Sequence, residues 1–188
     1  MTGVDRLWFL ADEARRAAER VFYRLDSRYD DYLSWDRHRS VSRRRFRTLA
    51  RRVSESGTPF GAHTVVYRED GALLLVRHAG VDQWVVPGGG VDEGDDSLLA
   101  TARRELAEEA GVDATYEGLA VANRVRLDCR GHETWGVLPL FAARADGETP
   151  TVDDPDGEIV AADWFHDLPD DTRDRGDLVA WREARGLQ

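Results

Sequence analysis

Three glutamates with helical spacing are the residues of this sequence best suited to chemistry. Glu105, Glu108 and Glu109 lie at positions i, i+3 and i+4, so a helix would gather their side chains on one patch. Carboxylates that lie so near one another repel each other, and a bound cation relieves the repulsion. Their oxygens suit hard ions, Mg²⁺ above all, which also takes phosphate oxygens from a substrate. The alternative is an ordinary acidic helix with a solvated face.

Sequence patterns on both sides of the glutamates predict the helix that carries them. Apolar residues recur every four positions, the spacing of a stripe that packs on a core: Leu98, Ala102 and Leu106. Three residues can cap the start of the helix: Asp95, Asp96 and Ser97. Gly111 stands where a helix commonly ends in a left-handed residue.

A glycine run comes shortly before this helix: Gly88, Gly89 and Gly90. Glycine lets the backbone come close to a ligand or offer a carbonyl oxygen to a metal ion. Arg104 can hold one of the nearby carboxylates in place as an ion pair. Together these residues predict a cation site formed by a glycine loop and an acidic helix.

The order of these residues resembles the signature of a known family. Arg104–Val112 reads Arg-Glu-Leu-Ala-Glu-Glu-Ala-Gly-Val and resembles the second half of the Nudix box, while Trp84–Gly90 resembles the strand and loop that lead into it. On this resemblance the chain is identified as a member of the Nudix family.

One position departs from the family pattern, because the glutamate of the first half of the box is an aspartate here. Counting back from Arg104 assigns the position to Asp96, and counting forward from Gly89 assigns it to Asp95. In both cases the side chain is one methylene shorter. An auxiliary contact to metal or arginine is therefore left open, while Glu108 and Glu109 are retained.

The resemblance implies a fold and a reaction. The fold is an α/β/α sandwich with a mixed sheet. The reaction is hydrolysis of a diphosphate linkage by metal-activated water, in a nucleoside diphosphate joined to another group or in a nucleoside triphosphate. Glu105, Glu108 and Glu109 would hold Mg²⁺, with Mn²⁺ as the alternative, and a carbonyl of Gly88 or Gly89 would be a further ligand.

The resemblance also assigns residues to catalysis and to substrate binding. Arg104 is grouped with the catalytic residues. Glu158 occupies a place between loop and strand that is similar to that of a functional glutamate in several Nudix groups; the alternative is an exposed loop acid. Gly88–Gly90 are assigned to the substrate. Trp84 is added as a candidate that stacks on a base or ring, because aromatic side chains commonly do so, although such a residue is more often part of the core.

The pattern of apolar runs predicts a mixed sheet with helices on both faces. The predicted strands are 64–67 and 73–76 around Asp70-Gly71, 84–86, 119–127 and 135–144 around Arg130-Gly131, and 159–165. A polar loop over 146–157 precedes the last strand. A short helix over 174–185 closes the chain.

Residues 1–57 predict an N-terminal helical hairpin ahead of a catalytic domain over 58–188. A first helix is indicated by apolar residues at alternating steps of four and three: Leu7, Ala11, Ala14, Ala18, Val21 and Leu25. A second helix is predicted from about Ser40 to Ser54, and Gly57-Thr58-Pro59 marks a linker. We expect this hairpin to dock on the catalytic domain or to form a homodimer.

The charge of the chain is unevenly distributed. The formal net charge is −10, and all 26 basic residues are arginine. Residues 1–57 hold 14 arginines and 9 acids, a charge of +5, whereas residues 58–188 carry −15. Either a high-salt cytoplasm, in which salt screens self-repulsion, or genomic base composition would account for the acidic, lysine-free surface.

A dense run of arginines falls within the predicted hairpin: Arg37, Arg39, Arg43, Arg44, Arg45, Arg47, Arg51 and Arg52. One interpretation is a solvated helix face, or a face paired with the protein's own acids. The other is an electrostatic contact site for RNA or another polyanion.

A single cysteine, Cys129, and the lack of a membrane-length apolar run predict a cytoplasmic protein without internal disulfides. The first functional hypothesis is a Mg²⁺-dependent Nudix pyrophosphohydrolase. The second is a catalytically idle sensor or RNA-binding module that uses the arginine-rich hairpin. An isomerase of isoprenoid diphosphates ranks third, since it would need a reactive cysteine near the pocket.

Overall fold

A computed structural model describes residues 3–147 and 149–187. Parts of three predictions lie outside the described residues: residues 1 and 2 of the hairpin, Glu148 of the polar loop and residue 188 of the catalytic domain. In chain order the elements are α1 (Gly3–Arg28), β1 (Asp36–Ser40), α2 (Arg43–Ser56), β2 (Ala62–Tyr67), β3 (Leu73–His78), β4 (Gln83–Val85), β5 (Gly88–Gly89), α3 (Leu98–Ala110), β6 (Thr115–Cys129), β7 (His132–Arg144), β8 (Ile159–Phe165) and α4 (Arg175–Ala184).

The chain divides into two compact units. The first contains the residues up to Gly61 together with Val121–Pro139, and the second contains Ala62–Ala120 together with the residues from Leu140 onward. The strands β6 and β7 therefore contribute to both units. Since the first unit also takes in residues 121–139, a domain boundary at residue 57 remains a prediction.

The second unit is a mixed sheet with helices, which confirms the predicted fold class. Strand β2 pairs with β7 in parallel and with β3 and β5 in antiparallel fashion, and β3 also pairs with β4 and β8. Its core joins the sheet to α3 through buried side chains of both: Val66, Leu74, Val76, Leu106 and Ala110. Val85 of β4 belongs to the same core, so this packing fixes α3 against the strand that leads into the glycine loop.

Helix α3 begins and ends at residues that the sequence indicates. The Ser97 hydroxyl accepts a hydrogen bond from the Ala100 N–H at 3.1 Å and caps the first turn. Gly111 ends the helix in the left-handed region, with φ 58°. A side chain at Gly111 would also collide with Thr151, whose Oγ1 lies 2.3 Å from where a Cβ would stand. Glycine is therefore required here for both conformation and space.

In the first unit, α1 and α2 share a buried core with β6. The predicted seam of α1 is confirmed, since all six of its apolar residues are buried. From α2 the core takes Phe46, Leu49, Ala50 and Val53, and from β6 it takes Val125, Leu127 and Cys129. Helix α2 runs from Arg43 to Ser56, so it begins three residues later and ends two residues later than predicted.

The sequence did not predict β1, which lies between the two helices. It pairs with β6 in parallel, from Asp36 opposite Arg124 to Ser40 opposite Asp128. The strand reads Asp-Arg-His-Arg-Ser and is almost entirely exposed, so it carries no apolar alternation. Backbone pairing at the edge of the sheet forms it. Within the described residues, no helix is both long and apolar enough to cross a bilayer.

Candidate functional site

Arg104 of α3 is the centre of the site, and it binds Asp95 near the end of the loop before the helix. Its Nε and Nη2 donate to the two oxygens of Asp95 at 3.2 and 2.9 Å. Asp95 also accepts from the Asp92 N–H and the Thr101 hydroxyl. These donors lower the pKa of Asp95 from 3.8 to about 2, with the Arg104 hydrogen bond as the largest cause.

This contact separates the two candidates for the altered position of the box. Asp95 has a side chain only 6% exposed and reaches Arg104, whereas Asp96 is exposed to solvent. Asp95, rather than Asp96, is thus the acid that the structure brings to the arginine. Asp95 therefore makes the contact with arginine, although its side chain is one methylene shorter than glutamate.

The guanidinium of Arg104 also lies against two of the three predicted metal ligands. Its Nη1 is 2.9 Å from Glu105 Oε1 and 3.1 Å from Glu108 Oε2. Across the described residues, no three acidic, histidine or cysteine side chains converge as a ready-made cation site. The positive charge between Glu105 and Glu108 is therefore supplied by arginine in this structure.

Glu109 is the most deeply buried of the three glutamates, at 8% exposed. Its Oε2 accepts a hydrogen bond of 2.8 Å from the Gly88 N–H. Burial raises the pKa of Glu109 to about 8, and the charges of Glu105, Asp154 and Glu158 add to the rise. The charges of three further acids thus act on this buried carboxyl, an arrangement that favours cation binding.

The glycine loop fits tightly around these carboxylates. A Cβ at Gly88, where φ is 150°, would lie 2.5 Å from the His63 backbone and ring. A Cβ at Gly89 would lie 2.6 Å from Glu105 Oε1, whereas one at Gly90 would meet nothing within 4 Å. The Gly90 carbonyl accepts a hydrogen bond from Arg104 Nη2 at 2.8 Å. Gly88 is thus required by its close approach to the backbone, whereas a side chain at Gly89 would displace the carboxylate end of Glu105.

The loop before β8 brings Glu158 close to the site. The charge of Glu158 contributes to the raised pKa of Glu109, and its own side chain is 64% exposed, 3.3 Å from His78 Nε2. Asp154 is not among the predicted site residues; its carboxylate accepts from the N–H groups of Asp156, Glu158 and Ile159. Its signal was present, since Asp-Pro-Asp-Gly favours a turn closed by an aspartate side chain.

Trp84 packs against protein rather than standing free. Its ring meets Phe165 edge-on at 4.7 Å between centroids, and Arg77 lies over it at 5.8 Å. Its backbone carbonyl accepts from the Arg173 N–H at 2.9 Å. A role of Trp84 in substrate binding remains a prediction.

Comparison with known proteins places these features in a family context. The sequence model of the NUDIX domain matches residues 57–181. The NUDIX domain of Shewanella oneidensis NrtR, solved in complex with ADP ribose, superposes with a TM-score of 0.50 at 22% identity, over 66% of this chain and 85% of that one. This likeness bears on the fold alone.

Two curated relatives match the chain in part. A putative 8-oxo-dGTP diphosphatase of Bacillus subtilis is 35% identical over 88 residues, 46% of this chain and 58% of that protein. The ADPR responsive transcriptional repressor NtrR of Acinetobacter baylyi is 38% identical over 76 residues, 38% of this chain and 29% of that protein. The chain thus spans less than two thirds of the length of either relative.

Proposed function

The chain belongs to the Nudix family, and from that premise we propose that it is a Mg²⁺-dependent hydrolase that cleaves a diphosphate linkage in a nucleotide derivative. Mn²⁺ is the alternative ion. The observation that carries the proposal is buried Glu109, which is held by the Gly88 N–H and surrounded by further acids. Such a carboxyl needs a positive partner to ionise, and a substrate-bound cation would provide one.

The chemistry of the available oxygens fits a hard divalent ion. Glu105, Glu108, Glu109 and the Gly88 carbonyl would hold it, and Arg104 would release Glu105 and Glu108 while it keeps Asp95. Arg104 binds Asp95 through two of its nitrogens, which makes this the stronger contact. We therefore expect it to persist when the ion replaces Arg104 at Glu105 and Glu108. When bound, the ion would neutralise charge on the phosphate oxygens and lower the pKa of the attacking water.

The residues of the chain have separate roles in this proposal. Gly88 fixes the orientation of Glu109 through its N–H, and Gly89 leaves room for Glu105. Glu158 is proposed as the general base, since its loop brings it near Glu109 and leaves its carboxylate exposed to solvent. Trp84 is proposed to contact the part of the substrate that is not phosphate.

The test is release of phosphate or pyrophosphate from nucleoside triphosphates and from nucleoside diphosphates joined to a second group, with and without Mg²⁺. Glu109→Gln keeps the shape of the side chain and removes its charge. We expect a loss of about 100-fold in kcat/KM, since several kcal/mol of transition-state stabilisation depend on the bound ion. Glu183→Gln, on the exposed face of α4, is the matched control. Equal activity in Glu109→Gln and wild type would reject the site.

A second candidate is a sensor that binds a nucleotide without hydrolysing it. Two observations favour it: Arg104 fills the space between Glu105 and Glu108, and one relative is described as an ADPR responsive repressor. Calorimetric titration with ADP-ribose, followed by chromatography of the incubated ligand, separates the two functions. Heat of binding with intact ligand after prolonged incubation with Mg²⁺ would favour the sensor.

A further inference from the structure

An open groove lined by residues of α1 and α2 lies in the first unit. It has a volume of about 450 Å³ and is lined by Arg6, Leu7, Leu10, Arg43, Arg47 and Arg51. The last three arginines are spaced four residues apart and so form a stripe along one side of α2. Of the described side chains that line the groove, none is acidic. The groove therefore presents a row of guanidinium groups over an apolar floor.

Two acids of α1 are engaged by arginines that lie outside the groove. Asp12 pairs with Arg15 and Arg16, and Glu19 pairs with Arg15. Within the described part of the chain, Arg6, Arg47 and Arg51 form no ion pair. Three of the arginines that line the groove thus have no acidic partner among the described residues, while the pairing of the whole face with the protein's own acids remains an alternative.

The sequence of α2 is poorly suited to the stability of the helix itself. The helix holds six arginines and one glutamate, and its first turn contains no acid. Cations at a helix N-terminus oppose the helix dipole, and arginines four residues apart repel each other. A bound polyanion would remove both penalties. The apolar side of α2 is fully used in the core, so only the arginine side remains for a partner.

Two exposed aromatic rings lie on α1, the helix that forms one wall of the groove. Trp8 and Phe9 are 57% and 58% exposed, and their rings meet edge-on at 5.2 Å. Phe9 follows Arg6 by three residues, which puts the two on neighbouring turns of one face. Exposed aromatic rings next to a basic groove can stack unpaired bases while arginines bind the phosphates. Duplex nucleic acid would offer no such unpaired bases.

From these observations we propose that the groove of α1 and α2 binds single-stranded nucleic acid, with Arg6, Arg43, Arg47 and Arg51 on the phosphates and Phe9 against a base. The proposal does not depend on hydrolysis, because none of these residues belongs to the acidic site on α3. Residues 1–56 also precede the segment matched by the NUDIX domain model.

The test is fluorescence polarisation with labelled single-stranded RNA and DNA of about 12 nucleotides, titrated with the full chain. Four phosphate contacts predict that log K falls with log salt with a slope of about −2.8, so the affinity drops about 50-fold between about 50 and 200 mM KCl. Arg47→Gln/Arg51→Gln should weaken binding more than tenfold and reduce the slope to about −1.4. Circular dichroism checks that the variant is folded.

Control variants test whether nucleic-acid binding depends on the groove rather than on positive charge in general. Arg20→Gln/Arg24→Gln removes the same charge from exposed positions of α1 outside the groove and should change the affinity less than threefold. Phe9→Ala should weaken binding to single strands and leave the weaker binding to duplex unchanged. The proposal is overturned if both double variants lose affinity equally, if duplex and heparin bind as well as single strands, or if size-exclusion shows that the groove instead joins two copies of the chain.

Discussion

Asp95 and Arg104 face each other through two hydrogen bonds, of 3.2 and 2.9 Å, so that a loop aspartate takes the place of a longer glutamate. The bend that the Asp95 side chain makes with Asp92 brings its carboxylate within reach. Arg104 in turn binds the Gly90 carbonyl. One arginine thereby ties together the glycine loop, the loop before α3 and α3 itself, which sets the position of the neighbouring glutamates.

Removal of the Asp95 charge should destabilise the fold. Since folding lowers the pKa of Asp95 from 3.8 to about 2, its ionised form stabilises the protein above the unfolded value, and this stabilisation is lost as the pH falls towards 2. Asp95→Asn should lower the free energy of unfolding by about 2 kcal/mol at pH 7, with a smaller difference below pH 4. Urea unfolding followed by tryptophan fluorescence measures both.

Asp96→Asn is the control for this prediction, because Asp96 is exposed and adjacent. Its free energy of unfolding should stay within about 0.5 kcal/mol of wild type. Equal losses in the two variants, or a loss in Asp95→Asn that persists unchanged at acidic pH, would contradict the role given to the contact with Arg104.

The two neighbouring glycines of the loop should respond differently to alanine. A methyl group at Gly89 would lie 2.6 Å from Glu105 Oε1 and displace that carboxylate, whereas one at Gly90 would meet nothing within 4 Å. We expect Gly89→Ala to lower kcat/KM for the best substrate at least tenfold with little change in thermal midpoint. Gly90→Ala should stay within about threefold. Similar activities would show that the position of Glu105 does not matter.

Much of this architecture is readable from the sequence, because local signals determine it. Ser97 and Gly111 cap α3, and Arg130-Gly131 forms the tight turn between β6 and β7, with both residues at positive φ. Strand β1 escaped prediction because its residues are charged and only its backbone pairs with β6. A local sequence pattern carries no information on pairing between two strands that are more than eighty residues apart in the chain.

The sequence predicts the helix that carries the glutamates of the site, but it does not predict which charged or polar group each glutamate contacts. The spacing of Glu105, Glu108 and Glu109 correctly puts all three on α3, yet Glu109 turns to Gly88 while the other two contact Arg104. Which carboxylate is buried depends on how the loop packs against the helix. That packing is tertiary, so the periodicity of the sequence carries no information on it.

A divalent ion should stabilise the folded protein through Glu109. A ligand that binds only the folded state adds about 2.7 kcal/mol at a concentration of 100 times its Kd, which for a chain of this size raises the thermal midpoint by about 5–10 °C. Mg²⁺ should produce such a shift in wild type and in Glu183→Gln, and a much smaller one in Glu109→Gln. Scanning fluorimetry over a Mg²⁺ series measures it. Shifts of equal size in all three proteins would place the ion elsewhere.

The loop that carries Glu158 should depend on Asp154. The carboxylate of Asp154 accepts hydrogen bonds from three N–H groups, those of Asp156 at 3.0 Å, Glu158 at 2.6 Å and Ile159 at 2.8 Å. Among the described residues, no other side chain accepts from these N–H groups. Asp154→Ala removes all three bonds, each of a charge-assisted kind that contributes about 1.5–3 kcal/mol. We expect faster amide hydrogen exchange over 154–159 and lower kcat, because Glu158 is no longer fixed near Glu109. Asp153→Ala is the control, since within the described part of the chain Asp153 is held through its backbone N–H, 3.0 Å from the Glu108 carbonyl, and not through its carboxylate. If Asp154→Ala speeds exchange and leaves kcat intact, the loop is ordered by Asp154 but Glu158 is not the base.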